Sequence, residues 1–325
     1  MSYASLLPLL RKTGSSLTVE EFQSRINVVF HDHEAFHYDS MHHDMWESLQ
    51  EQINLLVRDF CDFKAPSSNL RLLDVGCGTG LSTQQLLQST LSKNIQEITL
   101  LDTSPNMLKL AEEKARTWGK KYVTINSEIS DLEGQFEMVI VCSVLHHIPE
   151  LDVFLEKIDR LLVPGGIFIH LQDPNGDYLN DPIYLARVAE YQEYISKSSS
   201  KNVVDLIPKN WKHHINRMLG RKNYIDHIND QLLSEKVIRR RMTAEEIWSV
   251  TDIHVESKSD KVNKGIFASQ LKNCLNNFTL INQRSYAFYG VLKSDLPAQL
   301  KKNEGVLISK NELNGRNVSC IWLKN

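Results

Sequence analysis

Leu70-Arg71-Leu72-Leu73-Asp74-Val75-Gly76-Cys77-Gly78-Thr79-Gly80-Leu81 is the stretch on which the reading of this 325-residue chain turns. Leu70, Leu72, Leu73 and Val75 form a short apolar run that stops at glycines, the pattern of a buried strand. From Leu81 onward, Leu86 and Leu87 recur at helical spacing, so the stretch reads as strand, turn and helix. Gly76, Gly78 and Gly80 let the turn take positive φ and approach a ligand closely, and the first N–H groups of the helix favour negative charge. A dinucleotide fingerprint needs its third glycine three positions after the second, where this chain has Leu81, so nicotinamide and flavin dinucleotides are disfavoured.

The order Asp74-x-Gly76-x-Gly78-x-Gly80 after a first strand resembles the first motif of the class I S-adenosylmethionine-dependent methyltransferases. The segments that follow extend the resemblance. Ile98 to Asp102 reads as a second strand ending in an acid, and Ser104-Pro105 opens an amphipathic helix. In the family, the acid at this place accepts hydrogen bonds from both ribose hydroxyls, which an ionised carboxylate is suited to do. A third strand, Tyr122 to Ile125, leads to Glu128-Ile129, which resembles the family's acid-plus-apolar pair that reads adenine, with Asp131 as an alternative acid. The fourth strand, Phe136 to Cys142, ends in Ser143-Val144-Leu145-His146-His147-Ile148-Pro149, and the family has a similar segment beside the methyl donor. Val163-Pro164-Gly165-Gly166 is similar to the family's entry to a fifth strand, here Ile167 to Leu171. That strand ends in Gln172-Asp173-Pro174, which makes Asp173 a candidate for substrate contact or for capping a turn. Tyr38-Asp39 resembles an aromatic-acid pair that some members place over the donor.

Composition bounds what the chain does. Apolar residues make up 42% and charged residues 24%, as in ordinary globular proteins, and the net charge is −3. No apolar run approaches the ~20 residues of a membrane span and no signal core follows Met1, so a cytosolic protein is expected. Cys61, Cys77, Cys142, Cys274 and Cys320 contain no Cys-x-x-Cys pair, which argues for reduced thiols rather than a disulfide framework or a zinc site.

Before the core, Thr18-Val19-Glu20-Glu21 has the form of a capping box and Phe22, Ile26, Val29 and Phe30 follow at helical spacing. A second helix is expected from about Met45 to Phe60. Between them His31, His33, His37, His42 and His43 alternate with Asp32, Glu34, Asp39 and Asp44, a cluster read as a solvated lid and not as a metal site. After the fifth strand, Tyr184, Val188, Tyr191 and Tyr194 form one helical stripe, and Trp211, Ile215, Met218 and Leu219 another. Lys197 to Arg241 holds eleven Lys or Arg against four Asp or Glu, with Arg239-Arg240-Arg241 the sharpest run. That local excess suits an anionic partner or a solvated face. Phe267, Leu271 and Leu275 give a helix, Phe278 to Val291 one or two strands, and Val318 to Leu323 a last strand.

The expectation is an α/β fold, a seven-stranded, mainly parallel doubly wound sheet with helices on both faces. It divides into an N-terminal helical cap (1–69), a donor-binding core (70–175), a helical insertion acting as substrate lid (176–262) and the end of the sheet (263–325). The resemblance implies the cofactor S-adenosyl-L-methionine, bound by Asp74, Gly76, Gly78, Gly80, Asp102, Glu128, Ile129 and Tyr38, and methyl transfer to an N, O or C nucleophile of a small molecule. His146, His147 and Asp173 are the catalytic candidates, the histidines because an unperturbed pKa near ~6.5 suits a general base. An anionic acceptor held by the insertion's arginines is one form of this expectation. A nucleic-acid acceptor is disfavoured by the acidic whole and by the lack of an Asn-Pro-Pro-Tyr-like motif. A donor-dependent reaction other than methylation and a non-enzymatic binder remain as rivals.

Overall fold

A computed structural model describes residues 3–41, 45–198, 224–255 and 264–325. Its strands are β1 (Leu70–Val75), β2 (Ile95–Asp102), β3 (Lys121–Asn126), β4 (Phe136–Cys142), β5 (Leu162–Pro174), β6 (Phe278–Tyr286) and β7 (Asn317–Lys324). They form one seven-stranded sheet in the order β3-β2-β1-β4-β5-β7-β6. β1 to β5 pair in parallel, and β7 runs antiparallel to both β5 and β6. The order reverses between β1 and β4, and in open α/β sheets a ligand sits outside the carboxyl ends of the strands at that point.

Alternate strand residues face two apolar layers, as the two-residue period of a strand requires. Leu70, Leu72, Ile98, Met138, Ile140, Ile167 and Ile169 pack with Leu49, Ile53, Leu56 and Phe60 of α3 (Met45–Phe63). Leu73, Val75, Val139, Val141 and Phe168 pack on the opposite side with Phe154, Leu155 and Ile158 of α6 (Leu151–Leu161), and α10 (Ala268–Cys274) adds Leu271 there. The helices between β1 and β4 are α4 (Leu81–Leu86) and α5 (Pro105–Ala115).

The fifth strand begins earlier than the Pro-Gly-Gly signal implies. Leu162 pairs with Phe136, and the ladder then shifts so that Met138 meets Ile167. Val163-Pro164-Gly165-Gly166 is thus an irregularity inside β5, and Leu161 ends the helix before it.

Two further cores lie outside the sheet. The first joins the chain's beginning to the segment after β5. Phe22, Ile26, Val29 and Phe30 of α2 (Val19–Met41) pack with Ile228 and Leu232 of α8 (Tyr224–Ser234) and with Ile247 and Val250 of α9 (Ala244–Thr251). Leu6 and partly buried Leu9 and Leu10, at α1 (Leu7–Thr13), complete it. The capping boxes at Thr18 and Thr243 are both formed. The second gathers Tyr286, Phe288, Tyr289, Leu292 and Leu296 against Leu300 and Ile308 of α11 (Ala298–Ser309), a helix the sequence reading does not assign. Tyr191 of α7 (Pro182–Ser198) packs on its edge.

The histidine-rich segment, expected as a solvated lid, is helical as far as Met41. α2 runs unbroken to Met41, so His31, His33 and Asp39 belong to a helix, because nothing between Phe30 and Met41 breaks one. His42, His43 and Asp44 lie outside the described residues, as does the side chain of His37. The stripe from Trp211 to Leu219 lies outside them too.

Candidate active site

The turn after β1 is built by contacts that explain each residue of its motif. Asp74 is fully buried, and its Oδ2 accepts hydrogen bonds from Ser82 Oγ at 2.7 Å and Thr83 Oγ1 at 2.6 Å, which ties β1 to the first turn of α4. Burial raises its pKa to about 6 against the opposing pull of those two hydroxyls. Gly80, at φ 81°, packs where a Cβ would sit 3.3 Å from Ala111 Cβ, and a Cβ on Gly76 would sit 2.6 Å from Val144 Cγ2. A Cβ on Gly78 would meet nothing within 4 Å, because Gly78 borders open space.

That space is a cavity of about 740 Å³, bordered by Gly76, Gly78, Asp102, Glu128, Ile129, Tyr38 and His147. Asp74, Gly80, His146 and Asp173 are not on its wall. Asp74 and Gly80 shape the turn from behind. Asp131, the alternative to Glu128, is exposed and off the wall as well.

α2 roofs the cavity with one polar contact to the loop after each of the first four strands. Asp39 accepts from Thr79 Oγ1 at 2.6 Å and pairs with Lys114 at 2.6 Å. Asp32 accepts from Ser104 Oγ at 2.5 Å, Ser24 donates to Glu128 Oε1 at 2.6 Å, and Gln23 donates to the His147 carbonyl at 3.2 Å. Ser24, Asn27, His31 and Tyr38 all border the cavity, at intervals of three, four and seven residues that place them on one face of α2. That polar stripe was readable in the sequence once the helix was extended past Phe30.

Three histidines meet at one end of the cavity, His31 and His147 on its wall and His146 behind it. His146 Nδ1 lies 2.9 Å from Asp173 Oδ1, which also accepts the His146 backbone N–H at 3.2 Å, and Asp173 is fully buried. His147 Nδ1 donates to the Thr251 carbonyl at 2.8 Å. Its ring centroid is 4.0 Å from that of His146 and 5.1 Å from that of His31. Burial, then the neighbouring charges of His146 and His31, holds the His147 pKa well below its ordinary value, so this ring is neutral at neutral pH. For His31, burial works against the charged form, but Glu34, whose Oε2 is 3.3 Å from Nδ1, and the carboxylates of Asp102 and Asp252 outweigh it and raise the pKa. Thr251 and Asp252 come from the end of α9 and were invisible to a reading by motif, since no spacing links them to the His146-His147 segment.

The described arginine triplet and the tyrosine stripe of the insertion lie elsewhere. Arg241 pairs with Asp226 and Asp230, the Arg239 backbone N–H donates to Thr13 O, and none of Arg239, Arg240 and Arg241 borders the cavity. Tyr184 is buried, Tyr194 is exposed, and neither they nor Tyr191 are on its wall.

A family model described as a methyltransferase domain matches residues 73–168. This stretch is a methyltransferase domain. The methyltransferase domain has relatives among curated proteins: a highly reducing polyketide synthase (lcsB) of Purpureocillium lilacinum is 34% identical over 122 residues, 34% of this chain and 5% of that protein. An uncharacterized protein of Synechococcus is 31% identical over 42% of this chain and 32% of its own length. The ubiquinone biosynthesis O-methyltransferase of Caulobacter is 29% identical over 33% of this chain and 42% of that enzyme. The chain thus spans less than half the length of each of these relatives. Among solved structures, the partner of the Haloferax volcanii Trm112 methyltransferase activator aligns over 90% of this chain and 97% of its own, at 14% identity and a TM-score of 0.46. The plantazolicin methyltransferase BpumL aligns over 94% and 98% at 12% identity and a TM-score of 0.43.

The cofactor of such a domain is S-adenosyl-L-methionine, and the residues present fit it. Asp102 is turned into the cavity with Oδ2 accepting the Gly78 N–H and Oδ1 accepting the Ser104 N–H, both at 2.8 Å. Each oxygen keeps a lone pair for a ribose hydroxyl. Gly78 leaves room where any side chain would fill the cradle, and Ser24 fixes the Glu128 carboxylate on the cavity wall. Among the described residues no helix is long and apolar enough to cross a membrane.

Proposed function

We propose that the chain transfers a methyl group from S-adenosyl-L-methionine to a small-molecule acceptor and that His146, oriented by Asp173, takes the acceptor's proton. The observation that carries this reading is the buried His146–Asp173 pair beside the donor cavity. Asp173 accepts from Nδ1, so the neutral ring has its lone pair on Nε2. Nε2 faces Asp252 Oδ1 at 3.8 Å, beyond hydrogen-bond length, and is left to an acceptor's O–H, N–H or C–H group. The bound donor supplies a methyl already activated on a sulfonium, so the protein's own work is to hold the acceptor in line and move one proton. Positioning of this kind contributes ~7–11 kcal/mol, and a base ~10²–10⁴-fold more.

Asp102, Gly76, Gly78, Glu128, Ile129 and Tyr38 hold the donor in this reading, with Asp74 and Gly80 keeping the turn in shape. His147 stays neutral and serves as a wall. Support for a small acceptor comes from the relatives named for polyketide and ubiquinone synthesis, and the enclosure of the cavity by α2 agrees with it. An anionic acceptor held by Arg239 to Arg241 is not favoured, given where those side chains lie.

The test is turnover with labelled donor and fractionated small molecules, read as labelled product and S-adenosylhomocysteine together. His146→Asn is expected to lower kcat by ~10²–10⁴ with donor affinity unchanged. Donor binding without turnover on any fraction, or turnover indifferent to His146→Asn, contradicts the reading.

A further inference from the structure

His146, His147 and Asp252 each bring one ligating atom to a common point, all within 4.8 Å of one another. His147 Nδ1 is 3.3 Å and His146 Nε2 3.8 Å from Asp252 Oδ1. A four-coordinate ion with bonds of ~2.0–2.1 Å holds its ligands roughly 3.3–3.4 Å apart, so one edge of such a site is already formed and a second needs about half an ångström. The His146 ring is held as metal-binding imidazoles usually are, with its other nitrogen on a carboxylate, here Asp173 at 2.9 Å. All three groups are largely shielded from solvent, and the third comes from the end of α9, which follows the insertion's helices.

We propose that these residues form a binding site for a divalent transition metal of the zinc type, and that occupancy of the site inhibits the enzyme. Two imidazole nitrogens and one carboxylate oxygen suit zinc and its neighbours; magnesium and calcium prefer oxygen alone. On binding, the proton that His147 Nδ1 gives to the Thr251 carbonyl moves to Nε2, and the ion takes the Nδ1 lone pair. No proton is lost in that exchange, and water fills the fourth position. Inhibition follows because the His146 Nε2 lone pair cannot hold an ion and accept a proton at once. The ion therefore competes with the acceptor and leaves the donor alone, since Asp102 and Gly78 are not ligands. This consequence rests on His146 being the base; the metal site itself does not.

The test begins with the full chain stripped by a chelator and titrated with Zn²⁺ against a chromophoric competitor. One equivalent should bind. Asp252→Asn should weaken binding at least tenfold, and Asp173→Asn by ~10–100-fold, with donor affinity in calorimetry confirming that the Asp252 variant is folded. Cys142→Ser, which removes a thiol on the cavity wall, should leave Zn²⁺ affinity unchanged. Co²⁺ in place of Zn²⁺ should give the visible spectrum of a four-coordinate ion. In turnover, Zn²⁺ should raise the acceptor's KM without changing the donor's, and chelator treatment should not lower activity. Absence of binding, equal affinity in Asp252→Asn, or loss of binding in Cys142→Ser overturns the site. One equivalent bound through Asp252 without inhibition overturns the inhibitory role and the base assignment together, while the site stands.

Discussion

In the first five strands, apolar partners come from a contiguous stretch of chain: Leu72, Ile98, Met138 and Ile167 lie on β1, β2, β4 and β5, which are neighbours in the sheet, and share one layer. In the roof, Phe22, Ile26 and Val29 are matched with Ile228, Leu232, Ile247 and Val250, which arrive only after the chain has completed five strands. The first arrangement is assembled from short crossovers. The second must close a loop containing most of the domain, which adds entropy the packing has to offset. The proposed site sits between the two bodies, since His146 and His147 come from the sheet's fourth loop, His31 from α2, and Asp252 from the far end of the insertion. The roof is therefore one unit made of cap and insertion, and it covers the cavity proposed to hold the donor.

The sharpest way to break that comparison is Ile26→Ala. Removing a fully buried side chain should cost ~2–5 kcal/mol. If cap and insertion share one core, amide exchange should quicken in α8 and α9 as much as in α2, with β1 and β4 still protected. Unchanged protection in α8 and α9 would show that the insertion stands alone.

This division also sets what was legible in the sequence. β4 is found at the bounds its apolar run predicts, and Gly76, Gly78, Asp102, Glu128 and Ile129, though not Gly80, border one cavity because a strand, its turn and the next helix are local features. The roof was legible only in pieces. Its capping boxes and apolar stripes are local and were found, but the pairing of α2 with α8 and α9 is a matter of long-range packing. His31 was visible as a residue and not as a cavity residue, since its histidine and carboxylate neighbours suggested a solvated lid. Asp252 carries no motif at all. Arg239-Arg240-Arg241 misled in the other direction, because Asp226 and Asp230, which pair with Arg241, lie on a helix whose orientation no charge count supplies.

A second prediction sharpens the comparison from the sheet's side. His170 is fully buried in β5, and burial lowers its pKa to about 4 from 6.5. Between those values the unfolded chain binds more protons than the folded one, so this residue makes stability rise with pH from about 4 to 6.5 and withdraws that stability as pH falls. His254 acts in the same sense and Asp74 in the opposite one, so the measurement is the difference between wild type and His170→Gln. Across that window the difference should change by roughly 3 kcal/mol. Parallel stability curves for the two proteins would mean that His170 is not held neutral.

The smallest effect is expected at the seam within the roof. Arg25 on α2 and Glu235 just past α8 form a two-pronged pair at 2.6 Å for each bond, but both side chains are partly exposed. Arg25→Met should cost about 1 kcal/mol or less in denaturant unfolding, and less still at high salt. A loss comparable to that of Ile26→Ala would mean that charge, not apolar burial, joins the two segments.

The central claim, that this cavity holds the methyl donor through the acid ending β2, is tested most directly by calorimetric titration of S-adenosylhomocysteine into wild type and Asp102→Ala. Loss of the carboxylate removes the acceptor for two ribose hydroxyls and the anchor of the Gly78 and Ser104 N–H groups. Binding should weaken by roughly 1.5–3 kcal/mol, with a stoichiometry of one retained. Equal affinity in the two proteins would contradict the account.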